Sequence, residues 1–220
     1  MMIGLEYLPA PIVQYLRNSV RDRPKVPHLY HVTDLLYCLR KAYFRRKHPN
    51  GAKGVKSLWN IVRGQTFDHL WSPLFEVNQR TYTVHRGGIT ITGTLDFIFS
   101  DQGERVLCDL KMPASTYYRK QYGASDFYQR QVQCYLAMAH ANGDLLDIQK
   151  ARILMLAEDL VVEDVQENPE ILDYLWTRAF RLDHALTRSK PDALEGPEEA
   201  WECNPEYCEH YARCKGGDSS

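Results

Sequence analysis

Val106-Leu107-Cys108-Asp109-Leu110-Lys111, read with the upstream Gly93-Thr94-Leu95-Asp96-Phe97-Ile98, decides how this chain folds. Both stretches are apolar runs with acids set among them, the composition of strands in a buried sheet. Side chains alternate along a strand, so Asp109 and Lys111 share one face while Cys108 and Leu110 point to the other. A neighbouring strand that brings Asp96 alongside places two carboxylates and one ammonium together. Carboxylates that close repel, and one stays protonated unless a divalent cation lies between them. Mg²⁺ and Mn²⁺ are bound by carboxylate oxygens and water and suit phosphate chemistry. Lys111 would then orient the attacking water and help to deprotonate it. Taken alone, D-x-K is as readily a surface salt bridge.

Working outward, the pattern predicts a short helix over Pro9–Val20 and a Pro-rich break at Arg23–Pro27. A helix capped by Thr33 follows, with Leu35, Leu36, Leu39, Ala42, Tyr43 and Phe44 at helical spacing until His48–Gly51. Residues 56–77 read as a long helix with Leu58, Ile61, Val62, Phe67, Leu70 and Leu74 on its buried side. Strands are expected over Thr81–His85, Ile89–Phe99 with a kink at Gly93, and Arg105–Met112. A helix over Asp126–Ala141, strands over Ala151–Leu156 and Leu160–Val165, and a helix over Ile171–Thr187 complete the body. The tail after Pro191 is irregular, acidic and rich in cysteine. This order implies an α/β or α+β fold with a mixed sheet. At 220 residues, one domain with an elaborated edge is the default.

Hydrophobic residues make up 44% and charged residues 25%, which excludes a disordered chain or a coiled coil. No stretch approaches the length of a membrane span. The opening Met1–Glu6 has no secretory pattern, so a cytoplasmic location is expected and the six cysteines are expected to be packing residues or metal ligands. The net charge of −1 hides an asymmetry: residues 1–65 hold twelve basic and three acidic residues, residues 158–220 six and sixteen. A basic first third could bind a polyanion, or simply pair with the acidic end.

Two further features suit the acidic strand pair. Gly64-Gln65-Thr66-Phe67-Asp68-His69 ends in an imidazole on the long helix, a possible additional metal ligand. Gln131 and Tyr135, four apart on a helix, share a face and could hold a phosphate or a metal-bound water. Singly, each is as readily a solvated histidine or a polar rim.

Together, G-x(4)-H, G-x-x-D, D-x-K and Q-x-x-x-Y, in this order at Gly64–His69, Gly93–Asp96, Asp109–Lys111 and Gln131–Tyr135, resemble the RecB-type branch of the PD-(D/E)xK nuclease superfamily. Asp109 stands where Glu is commoner. The resemblance implies a restriction-endonuclease-like α/β core with helices flanking a mixed central sheet. It also implies Mg²⁺ or Mn²⁺ on His69, Asp96, Asp109 and the Leu110 carbonyl. Lys111 would activate water, and Gln131 and Tyr135 would position the scissile phosphate.

Cys203, Cys208 and Cys214 lie close together in the tail, and three thiols need a fourth ligand. Cys108 and Cys134 fit better as core thiols, which leaves Cys38, or His210 within the tail. No pair shows the two-residue spacing of zinc knuckles, which favours an iron–sulfur cluster over zinc. One early cysteine, a nuclease core and three late cysteines resemble the CRISPR-associated Cas-four family, and more loosely the nuclease domain of AddB. Thr33-Asp34-Leu35, the run Cys38-Leu39-Arg40-Lys41-Ala42-Tyr43 and Trp201-Glu202-Cys203 carry this likeness, over about His31 to Cys214.

The resemblance implies a single nuclease domain over 1–220. Its core would span about 56–165, and the segments 1–55 and 166–220 would be joined by a 4Fe–4S cluster on Cys38, Cys203, Cys208 and Cys214. It further implies an exonuclease for single-stranded DNA ends that processes prespacers with the CRISPR integrase. Arg40, Lys41, Arg45, Arg46 and Lys47 would form a DNA-contacting surface braced by the cluster. A non-catalytic iron–sulfur DNA-binding or adaptor module is the contrasting expectation, with an AddB-like repair nuclease and a zinc-bound form as variants.

Overall fold

The computed structural model describes residues 8–20, 25–49, 53–198 and 202–216. Trp201, Met1–Glu6 and the Arg23-Pro24 part of the proline break lie outside the described residues. Helix α1 (Ala10–Ser19), strand β1 (Leu29–His31) and helices α2 (Val32–Leu36), α3 (Leu39–Lys47) and α4 (Val55–Trp71) come first. Strands β2 (Val77–Asn78), β3 (Thr81–Arg86), β4 (Ile89–Thr94), β5 (Phe97–Asp101) and β6 (Glu104–Lys111) follow. Then come α5 (Tyr117–Tyr122), α6 (Asp126–Ala141), β7 (Lys150–Leu156), β8 (Leu160–Gln166), α7 (Ile171–Arg188) and α8 (Tyr211–Gly216). The fold is α/β, with mixed sheets flanked by helices. No helix among the described residues is long and apolar enough to cross a membrane.

The single mixed sheet expected from the sequence is two sheets. Strands β1-β4-β3 form one and β2-β5-β6-β7-β8 the other. The run read as one kinked strand therefore changes sheets, leaving β4 at Thr94 and starting β5 at Phe97 with Leu95 and Asp96 between. In the larger sheet β6 pairs antiparallel with β5 and parallel with β7. Its alternation separates two environments. Leu107 and Ile153 face the main core with Leu136 and Met138 of α6, while Phe97, Val106 and Cys108 form a small cluster with Phe75 and Phe99. Phe75 and Phe97 stack at 4.0 Å. Asp109 lies on the main-core face and is fully buried.

The helix expected from Thr33 to Phe44 is broken at Tyr37-Cys38, and its cap position is His31. Local periodicity favours continuation, but distant partners satisfy the backbone that the break exposes. Arg178 donates to the carbonyls of Leu35 and Tyr37, and Glu202 accepts the Cys38 N–H at 2.9 Å. Helix α4 stops at Trp71, before Ser72-Pro73-Leu74 forms a 3₁₀ turn. Of its expected buried side only Leu58 is buried, and Leu70 and Leu74 are exposed. Strands β1 and β2 and helices α5 and α8 were not expected, because runs of two to six residues carry no readable period.

The charge asymmetry is taken up within the chain. Glu209 lies 2.8 Å from Arg45 and 3.4 Å from Lys41, and Lys56 pairs with Glu206 at 2.9 Å. Burial opposes the Glu209 charge, but Arg45 and Lys41 outweigh it and hold the carboxyl down at about 2. Arg46 donates to the carbonyls of Val26 and Leu29, and Arg40 to that of Leu194. Four of the five cations expected to face DNA thus bind other parts of the chain, which removes most of the charge argument for that surface.

Candidate active site

Asp96 sits where the chain crosses between sheets, and the crossover is pinned on both sides. The Asp96 carbonyl accepts the Gln79 N–H at 2.8 Å, and the Leu95 N–H is donated to Arg80 at 3.0 Å. Phe97 pairs with Cys108, so the next step of that register sets Asp96 opposite Asp109. The Leu110 N–H donates to Asp96 Oδ2 at 2.8 Å. The Leu110 side chain packs in the small cluster on the opposite face.

Asp109 Oδ1 accepts Gln131 Nε2 at 3.4 Å, and Gln131 also donates to Tyr135 Oη at 2.8 Å. Lys111 Nζ lies 2.6 Å from Asp109 Oδ2, with side chains 16% and 1% exposed. The Asp109 carboxylate is thus engaged on both oxygens, by Gln131 on one and by the Lys111 ammonium on the other. Gly93 explains part of the arrangement. A Cβ there would lie 2.9 Å from Val32 and 3.0 Å from the Tyr135 ring, so only glycine lets that ring sit against β4.

Burial, then repulsion from Asp109, pushes the Asp96 carboxyl up to about 7 against the relief given by Lys111 and the Leu110 N–H. Burial also raises Asp109. For Lys111, burial disfavours the charge, but Asp109 and Asp96 outweigh it and hold the amine protonated. In the metal-free protein Lys111 is therefore held as an ammonium beside Asp109. Two mutually repelling carboxylates, Asp109 fully buried and Asp96 half-buried, are a donor set that fits a hard divalent cation.

Of the expected residues, Asp96, Asp109, Lys111, Gln131 and Tyr135 meet. His69 does not join them: it is exposed near the end of α4. Its neighbour Asp68 instead adds to the upward push on Asp96 and Asp109. Asp68 Oδ1 accepts Gln79 Nε2 at 2.9 Å, which links it to the backbone of the crossover. An α4 that buries only Leu58 has no strong apolar face by which the sequence could choose between Asp68 and His69. Tyr128 was also missed; its ring lies 5.3 Å from Lys111 Nζ and shares an open cleft with Tyr37, Lys41, Arg63 and Tyr207.

A second pocket is lined by Cys38, Cys203, Cys208 and Cys214, with Glu202 and His210. Burial raises the Cys38 and Cys208 thiols, and Cys214 adds to both shifts. Cys108 and Cys134 are buried elsewhere, in the small cluster and the main core. Four soft sulfur donors around one pocket fit a thiolate-bound metal or cluster. Among the described residues, no three His, Cys, Asp or Glu side chains stand as a ready-made metal cage.

The raised Asp96 carboxyl gives a stability prediction. A group with a raised folded value contributes most below its unfolded value, here 3.8, and that contribution is lost as pH rises through about 7. Asp96→Asn keeps an acceptor for the Leu110 N–H and carries no charge. Metal-free Asp96→Asn protein is expected to melt several degrees above wild type at pH 8, the gap narrowing by pH 5 and closing near pH 4. Thermal melts in EDTA check this, and an equal or lower midpoint at pH 8 would contradict it.

A carboxylate pair with an ammonium at the end of a central strand is a site suited to a divalent cation and to phosphate chemistry. The sequence model of the PD-(D/E)XK nuclease superfamily matches residues 16–215, and the chain belongs to that superfamily. No curated protein matches the chain. The crystal structure of SSO0001 is similar in fold at a TM-score of 0.64 and 15% identity, covering 92% of this chain and 94% of its own. A Eubacterium rectale protein named as a candidate exonuclease aligns at a TM-score of 0.32 and 16% identity, covering 84% of this chain and 75% of its own.

Proposed function

We propose that the chain works as a single nuclease domain over 1–220: a metal-dependent deoxyribonuclease degrading single-stranded DNA from its ends, of the Cas-four type. Its place would be in CRISPR adaptation, trimming prespacers for the integrase in the cytoplasm. The observation that carries the hydrolytic part is the Asp96–Asp109 pair, Asp109 fully buried, with Lys111 Nζ 2.6 Å from Asp109. Asp96 and Asp109, with the Leu110 carbonyl, would hold Mg²⁺ or Mn²⁺, which supplies Lewis acidity toward phosphate and water there. His69 would be a further ligand of the ion, with Asp68 beside it adding negative charge at Asp96 and Asp109. Lys111 would orient and activate water, and Gln131 and Tyr135 would position the scissile phosphate, Gln131 also reaching Asp109 Oδ1. Four cysteines around one pocket support a 4Fe–4S cluster on Cys38, Cys203, Cys208 and Cys214 joining the two ends of the chain.

End-labelled linear and circular single-stranded DNA of one sequence, incubated with Mn²⁺, test the substrate class. Linear strands should shorten from their ends and circles should persist, with EDTA stopping the reaction. Equal loss of circles would make the activity endonucleolytic, and no loss of either strand would end the proposal.

A further inference from the structure

Helix α5 begins six residues after Lys111 and carries Tyr117, Tyr118 and Tyr122, which are 67%, 65% and 70% exposed. Large aromatics so exposed on one short helix are costly to leave in water unless something covers them. The rings are ordered among themselves. Tyr118 and Tyr122 are near-parallel at 20° with centroids 6.4 Å apart, and Tyr117 meets Tyr118 edge-on at 5.4 Å.

Their support is firm. Ser115 Oγ and the Thr116 N–H both bond Glu158, Lys120 pairs with Asp159, and the Ala124 N–H donates to Glu163. Both ends of α5 are therefore tied to the β7–β8 hairpin. The helix also connects to the carboxylate site, because the Arg119 guanidinium lies 5.5 Å from the Tyr128 ring that Lys111 faces at 5.3 Å. Residues 117–122 include Arg119 and Lys120 and no acid.

We infer that Tyr117, Tyr118 and Tyr122 form a stacking platform for the bases of an unpaired DNA strand whose backbone leads to the Asp96–Asp109 site. The inference rests on the nuclease reading above and specifies how its substrate is selected. Every base has a π-face, so stacking on tyrosine is indifferent to sequence, as strand degradation requires. In a duplex those faces are covered by neighbouring bases, so the platform selects unpaired strands. Of the two cations on α5, Lys120 is held by Asp159, which leaves Arg119, beside the Tyr128 ring, to meet a phosphate, and the hydroxyl tips keep the rings tolerable in water.

The three rings lie outside the core, so their removal should leave the fold intact. Binding is read by fluorescence anisotropy in EDTA with a labelled oligothymidylate of 20 nucleotides, an abasic strand of the same length and a duplex. Replacing all three tyrosines by alanine should weaken oligothymidylate binding by roughly tenfold or more, at about one order of magnitude per 1.4 kcal/mol. Replacing all three by phenylalanine should preserve binding, and the abasic strand should bind both wild type and the alanine variant weakly. Unchanged oligothymidylate affinity in the alanine variant, or tight abasic binding by wild type, overturns the platform. A change confined to oligomeric state by light scattering also overturns it, and makes α5 a protein interface. Wild type that cleaves duplex DNA with Mn²⁺ but ignores oligothymidylate loses the platform alone. Wild type that binds through the rings yet cleaves nothing loses the nuclease reading alone.

Discussion

Asp109→Asn should lower Mn²⁺-dependent DNA hydrolysis by a factor on the order of 10³ or more, the scale set by losing one preorganised charged group at a reacting phosphate. The substitution keeps the shape and the acceptor that Gln131 reaches. It removes the charge that both repels Asp96 and holds Lys111 as an ammonium. Lys111→Ala should cost activity on a similar scale for the complementary reason. It also leaves the buried Asp109 and the half-buried Asp96 without their cation, and breaking a buried pair is costly to the fold, at roughly 3–5 kcal/mol. The two variants therefore separate by melting: Lys111→Ala is destabilised more at pH 8 than at pH 4, where the acids are protonated. A fluorogenic single-stranded substrate and thermal melts provide both readouts. Full activity in either variant would remove the pair from the reaction.

Cys38→Ala should bleach anaerobically purified protein and lower its melting midpoint by about 10 °C or more, because ligand binding of this kind acts as folding free energy. Few apolar side chains hold the tail: Leu194 and Cys208 are its buried hydrophobics among the described residues. Polar bonds share the task. Arg40 donates to Leu194, Lys41 to the Tyr207 carbonyl at 2.7 Å, and the Cys38 N–H to Glu202. Loss of the sulfur ligand should therefore make the tail salt-sensitive, since the remaining contacts are mainly ion pairs and polar bonds. Cys108→Ala and Cys134→Ala should keep their colour and cost only a small cavity, roughly 1–2 kcal/mol or less. Stoichiometric zinc in anaerobically prepared protein, or a coloured Cys38→Ala variant, would overturn the cluster.

The amino-acid sequence by itself determined what depends on period and on order along the chain. Alternation over Val106–Lys111 sets Asp109 and Lys111 on one face, and the four-residue spacing sets Gln131 and Tyr135 on another that meets it. The long helices Asp126–Ala141 and Ile171–Arg188 stand within a residue of their expected bounds, because each carries a sustained apolar stripe. Only the tertiary structure decided where strong local patterns are interrupted. The run from Ile89 to Phe99 reads as one strand, yet the chain changes sheets at Leu95-Asp96 because Leu95 is buried and Gln79 and Arg80 take the backbone bonds. The helix from Thr33 breaks at Tyr37-Cys38 because Arg178 and Glu202, more than 140 residues away, satisfy the open peptide groups. The same physics turned most of the cations of α3 inward to other parts of the chain, the acidic tail among them. Such choices follow from hydrogen bonds and charges between segments distant in sequence, which no local period encodes.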